Sequence, residues 1–386
     1  MIKVVHVIVD LDTGGAETTL YKLLAKTDSS RFTSEVITLT ALGPVADKIK
    51  ALGIPVRALG MKRGSVNPVF LLKLALWLRK SKPDILQTWM YHSDLIGSIA
   101  GMLAGVRRIA WNIRHSNLIP EVTKRSTMLT AKTCAFLSSY LPDKIISCSQ
   151  TAKKVHVKLG YMEKKIEIIP NGFDLEIFKP SIEARKAVRK ELEIPEDAFI
   201  IGMVGRFDPV KDQQTFVRAA KEFAGKVEDG FFVLCGEEIT WDNAELVNWI
   251  TQAALKDRFR LLGRREDISR LMTSFDVAAL TSVTEGFPNV IGEAMCCEVP
   301  CTVTDVGDSA YIVGSTGVVV PPNSPEAMAE AWESFYRLEE DKRRQMMKSA
   351  RQRIREFFGL ESSVKMYEEL YQAMMDTGAF KNVDRQ

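Results

Sequence analysis

The sequence predicts an α/β protein of two doubly wound, parallel-sheet domains facing each other across a cleft. The first observation behind this is the opening run Ile-Lys-Val-Val-His-Val-Ile-Val at residues 2–9. A near-continuous β-branched run is what a parallel strand buried on both faces requires. It leads through Gly14 and Gly15 into a helix-like segment to residue 26, the strand–loop–helix opening of a doubly wound sheet. The second observation is that this opening recurs: Phe-Ile-Ile-Gly-Met-Val at 199–204, then Gly205 and Arg206, then a helical pattern over 213–223. The third is length, since 386 residues are long for one domain. The expected division is a first domain over 1–172, a second over 173–360, and a closing helix over 361–386.

Strand and helix signals alternate along the first half. Strand-like runs fall at 34–39, 56–59, 84–88, 108–113 and 143–148, and helical patterns at 44–52, 68–80, up to residue 105, 120–141 and 150–159. The run from Ile166 ends in Pro170-Asn171-Gly172, a turn signal that closes the domain. A charged segment, 181–195, reads as a connecting helix. The second half then gives strands at 231–236, 259–262, 277–280, 300–304 and 317–320, helices at 242–255 and 268–275, and three closing helical segments from 325, the last near 362–375. No repeat, low-complexity tract or heptad pattern interrupts the alternation.

Composition narrows the function classes. The chain is 46% hydrophobic and 26% charged, an ordinary globular balance. It contains no apolar run of about 18 residues, and Lys3 with a short strand does not make a signal peptide. Cys134, Cys148, Cys235, Cys296, Cys297 and Cys301 lie in apolar contexts without metal-ligand spacing, as expected of reduced cysteines in a cytoplasmic protein. The net charge of +3 hides an asymmetry: residues 1–170 hold 25 Lys/Arg against 12 Asp/Glu, leaving the rest acidic. A basic half faces an anionic partner, with a membrane surface, a lipid-diphosphate acceptor and nucleic acid as the candidates on charge alone.

The chemistry-bearing stretch is 284–295, Thr-Glu-Gly-Phe-Pro-Asn-Val-Ile-Gly-Glu-Ala-Met. It follows the strand at 277–280. Pro288 suits a first helical turn, where its missing N–H is no loss. Glu285, Gly286 and Phe287 then sit at a strand's carboxyl end and Glu293 in the first turns of a helix. The helix start, at Asn289 and Val290, offers backbone N–H groups and a partial positive charge that suit a phosphate. Two carboxylates flanking such an end can hold a nucleotide sugar, one on sugar hydroxyls and one on ribose. Arg206 and Lys211, also between a strand and a helix, form a second anion site, in which Arg bridges two oxygens and Lys adds a point charge. Asp10-Leu-Asp12 spells a metal-binding Asp-x-Asp, but a chance pair after a first strand reads better as a turn and helix start. His6 and His156 read as structural.

These stretches resemble, in order and over nearly the whole chain, the motifs of the GT-B glycosyltransferases of family 4 (group 1). Glu285-Gly-Phe-Pro-x4-Glu293 is similar to that family's Glu-x7-Glu motif, Gly14-Gly15-Ala16-Glu17 to its first loop, and Pro170-Asn171-Gly172-x-Asp174 to its linker. Gly205-Arg206-x4-Lys211 is similar to its phosphate clamp, with Asp212 where a glycine is usual. The resemblance implies the GT-B fold, with two Rossmann-like domains and a closing helix, 361–386, that crosses back to the first. It implies donor contacts from Gly15, Arg206, Lys211, Gly263, Arg264, Arg265, Glu285, Gly286, Phe287, Pro288, Asn289, Val290 and Glu293. It places Gly14, Glu17 and His92 on the acceptor side and His115 beside the transferred sugar, with His115, Glu285, Arg206 and Lys211 as the catalytic group. It implies no cofactor and no metal.

The expected activity is a retaining, metal-independent transfer from a nucleotide sugar, most often a UDP-sugar, to a glycan or polyprenyl-diphosphate-linked acceptor in cell-surface polysaccharide or lipopolysaccharide synthesis. Nucleic acid is not an expected partner. The expected place is the cytoplasm, peripheral on the inner face of the membrane. Two alternatives share the fold: a nucleotide-sugar 2-epimerase, which would need no acceptor, and a non-catalytic binding protein, which would not turn over.

Overall fold

A computed structural model describes residues 1–62, 67–114 and 124–380, with the side chains of 377–380 excepted. The chain forms two compact units: unit 1 is Met1–Gly172 with Leu360–Gln386, and unit 2 is Phe173–Gly359.

Unit 1 is a seven-stranded sheet whose pairings are all parallel. Its strands are Ile2–Ile8 (β1), Phe32–Thr38 (β2), Val56–Ala58 (β3), Ile85–Trp89 (β4), Ile109–Ile113 (β5), Lys144–Ser147 (β6) and Ile166–Ile168 (β7), in the order β3-β2-β1-β4-β5-β6-β7. Its crossover helices are Gly15–Lys26 (α1), Pro44–Ala51 (α2), Pro68–Ser81 (α3), Tyr91–Ala104 (α4), Arg125–Leu137 (α5) and Gln150–Leu159 (α6). The β1 run explains the layering. Val4 and Ile8 enter one buried core and Val5 and Val7 the other, so both faces of the strand are apolar. The strand order reverses between β1 and β4, which places the loops after these strands where such sheets bind ligands.

Unit 2 repeats the plan with six parallel strands in the order β10-β9-β8-β11-β12-β13. They are Phe199–Val204 (β8), Gly230–Cys235 (β9), Phe259–Leu261 (β10), Val277–Leu280 (β11), Cys301–Thr304 (β12) and Val318–Val320 (β13). The helices are Ile182–Glu191 (α7), Gln213–Ala224 (α8), Ala244–Gln252 (α9), Ile268–Met272 (α10), Asn289–Cys296 (α11), Ser309–Val313 (α12), Pro325–Tyr336 (α13) and Glu340–Phe357 (α14). Here the reversal lies between β8 and β11. A buried guanidinium fixes the amino end of β11: Arg189 donates to Asp276 at 2.7 Å and to the Ala198 carbonyl at 2.6 Å.

The last helix, Leu360–Phe380 (α15), belongs to unit 1 and begins earlier than its sequence pattern suggests. Two of its tyrosines each bond an amide buried in the sheet. The Tyr371 hydroxyl donates to Gln87, and Asn112 donates to the Tyr367 hydroxyl at 2.9 Å. The Tyr367 ring stacks on Trp89 with centroids 6.4 Å apart. These interactions place the carboxyl-terminal helix against β4 and β5.

Candidate functional site

In unit 2 the loops after β8 and β11 are tied together. Val283 N–H donates to the Val210 carbonyl at 2.9 Å, and the Thr281 hydroxyl reaches the Lys211 and Asp212 carbonyls at 2.9 Å each. Asp212 has φ 50°, a left-handed position that favours glycine, and its side chain caps α8 on Thr215 N–H at 3.0 Å. This accounts for aspartate where the resembling motif carries glycine: Asp tolerates the backbone and adds a cap.

The result is a charged pair. Lys211 Nζ lies 2.6 Å from Glu285 Oε1, and the Ser282 hydroxyl donates to the same oxygen at 2.7 Å. Both side chains are largely buried, at 20% and 13% exposure, so the pair is held rather than transient. Beneath it Gly307, at φ 59°, lets the loop after β12 approach: a Cβ there would sit 2.6 Å from the Glu285 carbonyl oxygen. Asp308 N–H completes the brace on the Gly286 carbonyl at 2.9 Å. The sequence reading passed over both Ser282 and Gly307. Ser282 was legible only as a hydroxyl three residues before Glu285, and Gly307 only as a strand end.

Other residues singled out in unit 2 fall into two groups. Arg206 is exposed and its guanidinium rests on Asp208 at 2.7 Å. Burial works against the Asp208 charge, but the Val210 N–H and Arg206 hold its carboxyl below the usual range. Pro288 caps α11 from just outside it rather than filling the first turn, and Asn289 and Val290 open the helix. Glu293 follows in its second turn and is half-buried. Phe287, by contrast, turns inward, its ring stacked on Phe173 at 6.0 Å and beside Phe358 at 5.9 Å. It holds the loop by packing. Gly263 takes φ 61° and accepts Gly236 N–H at 2.9 Å, while Arg264 is exposed beside it. Arg265 is committed elsewhere: it grips Glu191 at 2.6 Å and Asp267 at 2.7 Å. The hydrogen bond from Arg265 brings the Asp267 carboxyl down to about 2.

In unit 1 Gly14 and Gly15 open α1 at the end of β1. The Glu17 carboxylate folds back over Gly14, close enough that a Cβ there would meet it at 2.2 Å, whereas a Cβ on Gly15 would meet nothing within 4 Å. Burial, with Asp10 and Asp12 nearby, raises the Glu17 pKa. His92 lies in the first turn of α4 with its ring reaching solvent, and desolvation lowers its pKa. His115 lies outside the described residues. Its neighbour Arg114, another residue the sequence reading passed over, bonds Asn171 at 2.7 Å and sits 5.4 Å over the Trp89 ring. His6 and His156 are both interior: His6 accepts from Trp89 at 3.3 Å, and His156 bonds the Tyr91 hydroxyl at 2.7 Å.

Comparison with known proteins covers both units. Residues 13–177 match the family described as Glycosyltransferase Family 4, and residues 184–353 the family described as Glycosyl transferases group 1. An Escherichia coli protein named UDP-Gal:alpha-D-GlcNAc-diphosphoundecaprenol alpha-1,3-galactosyltransferase is 29% identical over 333 residues, 84% of each chain. The putative glycosyltransferase EpsF of Bacillus subtilis is 26% identical over 308 residues, 78% of this chain and 79% of that one. Among solved structures, Anabaena Alr3699/HepE in complex with UDP aligns with a TM-score of 0.84 at 23% identity, covering 96% of this chain and all of the other. A glycosyltransferase from Rickettsia africae aligns at 0.83 with 18% identity, over 97% and 99% of the two chains.

Proposed function

The chain belongs to glycosyltransferase family 4 and has the GT-B fold, and we propose that it moves a sugar, with retention of configuration, from a UDP-sugar to a glycan or polyprenyl-diphosphate-linked acceptor during cell-surface polysaccharide synthesis. The observation that carries this reading is the Lys211–Glu285 pair, 2.6 Å apart at the switch point of unit 2. The difficult event is departure of a nucleoside diphosphate from an anomeric carbon, which puts negative charge on the phosphate and positive charge on the sugar ring. Lys211, Arg206 and the N–H groups at Asn289 and Val290 meet the first. Groups held in place before the reaction stabilise developing charge without having to reorganise. When a diphosphate takes Lys211, the Glu285 carboxylate gains capacity for sugar hydroxyls, held by Ser282. Glu293 takes the ribose.

The donor assignment is supported by the UDP-sugar in the E. coli protein's name and the UDP bound to the Anabaena protein. For retention, the acceptor attacks on the face the diphosphate leaves, and the departing phosphate takes its proton with His115 nearby. Unit 1 takes the acceptor through Gly14, Glu17 and His92. Its basic balance supports association with the anionic inner surface of a membrane.

The test is slow donor hydrolysis across UDP-, GDP- and ADP-sugars, with EDTA present, by the native chain and by Glu285→Ala. Hydrolysis of a UDP-sugar that is lost in the variant is the expected result. Turnover that needs added divalent metal, or a GDP- or ADP-sugar as the one donor used, would overturn the corresponding part of the reading.

A further inference from the structure

A cavity of about 580 Å³ in unit 1 opens at the carboxyl ends of β1 and β2, against the first turns of α4 and α5. Its lining combines cations and an apolar wall with the polar side chains of Asp10, His92 and four hydroxyl residues. Lys62 and Lys124 bring two ammonium groups to it, and neither pairs with a carboxylate among the described residues. Met61, Ile96 and Leu129 give it an apolar wall. Leu129 is also 68% exposed, so the wall continues outside the cavity.

What lies outside is a second, independent observation. Helix α4 packs between α3 and α5. These three helices contain a single carboxylate, Asp94, and it is buried. Their outer surface exposes Val69, Leu72 and Leu76 on one stripe of α3, and Leu129 and Phe136 on one stripe of α5, interleaved with Lys73 and Lys132. Exposed apolar side chains at this density, with cations and no exposed anion, mark a surface that meets an apolar and anionic partner.

We propose that the cavity binds the lipid-diphosphate end of the acceptor, with its phosphates on Lys62 and Lys124 and the first carbons of its chain leaving past Ile96 and Leu129. A free phosphate would explain the lysines but not the wall, and a neutral lipid the wall but not the lysines. Asp10, whose carboxylate also accepts Asp12 N–H at 3.2 Å, lines the same cavity and suits a hydroxyl of the sugar carried on the diphosphate. The assignment rests on the reading that unit 1 takes the acceptor.

The experiment is equilibrium binding of farnesyl diphosphate, inorganic diphosphate and farnesol to the full chain, with saturating UDP present to occupy unit 2. Farnesyl diphosphate binds, and the other two bind at least about tenfold more weakly, a difference of ~1.4 kcal/mol. Lys62→Ala, Lys124→Ala and Leu129→Glu each weaken farnesyl diphosphate by about tenfold or more at unchanged melting temperature. Failure of farnesyl diphosphate to bind overturns the assignment. So does equal binding of inorganic diphosphate, which would mean a plain anion site, or of farnesol, which would mean a plain apolar groove. Donor hydrolysis by the same preparation separates the two readings: if it persists while the lipid does not bind, the cavity assignment falls and the transferase reading stands.

Discussion

The carboxyl ends of the two sheets are furnished differently. In unit 2 an ammonium and a carboxylate from loops 74 residues apart in sequence meet at 2.6 Å, with a hydroxyl and a glycine brace around them. In unit 1 the corresponding loops carry Glu17, crowded by Asp10 and Asp12, and His92 at the surface, beside a cavity lined with two lysines. One end is already arranged for charge of a fixed geometry. The other has room and two lysines that pair with no carboxylate among the described residues, which suits a larger and more variable anion. In physical terms, the chemistry of bond breaking needs preorganisation, whereas capture of the second substrate needs volume and sign.

The largest effect should come from dismantling the arranged end. Lys211→Ala or Glu285→Ala should each lower turnover by about 10²–10³-fold, the scale for removing one preorganised group that meets transition-state charge. The double variant should lose less than the product of the two, because the residues act as a unit. A larger loss from Glu17→Ala than from Glu285→Ala, in the same assay, would invert the comparison.

Backbone should distinguish the ends next. Gly307→Ala places a Cβ 2.6 Å from the Glu285 carbonyl oxygen at a left-handed φ, so it should cost ~1–3 kcal/mol and raise the KM for the donor. Gly15→Ala meets nothing within 4 Å, and its melting temperature should stay where it is. Thermal denaturation of both proteins checks this. Equal melting temperatures would mean that the loops of unit 2 give way easily.

Acid should act on unit 1 through His6. Desolvation brings its pKa from 6.5 to about 3 in the folded chain. Below pH 6.5 the unfolded chain therefore binds a proton that the folded chain refuses. Stability from this group is lost as pH falls from 6.5 toward 3, by up to ~1.4 kcal/mol per pH unit. Urea unfolding at pH 7 and pH 5 should show the loss, and His6→Gln should show a shallower one. An unchanged slope in the variant would remove His6 from the account. A modest loss is expected from Tyr371→Phe, which removes one buried hydrogen bond to Gln87 and should lower stability by ~0.5–1.5 kcal/mol. A stability equal to that of the parent would show that this hydrogen bond adds nothing net to the hold on α15.

The fold was legible because its signals are local. Each run of β-branched residues became a strand, and the repeated strand–glycine–helix opening marked both units. The Lys211–Glu285 contact was not legible as a contact. It depends on β8 pairing with β11 on the side away from β9, and residue spacing does not carry that choice. Side-chain direction was hidden as well. Phe287 and Arg265 lie in stretches read as donor-binding, but one ring turns into the interior and one guanidinium is taken by two carboxylates. Arg114 escaped notice because its partners, Asn171 and Trp89, are distant in sequence. Capped starts were legible to the residue at Pro68, Gln150 and Gln213, whereas Pro288, read into the first turn, lies one position before α11.

The path of the chain has a consequence for synthesis. Gly172 closes against Leu360, and Phe173 N–H bonds the Phe358 carbonyl at 2.9 Å, so unit 2 enters and leaves unit 1 at adjacent points. Unit 2 is a guest inserted near the end of its host. On the ribosome the host emerges first yet lacks its last helix, while the guest, contiguous in sequence, emerges whole. Until α15 is released, Gln87 and Asn112 have none of its tyrosines to bond. The amino-terminal unit is therefore the last to be completed, and a chain cut short before residue 360 would carry a finished guest in an unfinished host.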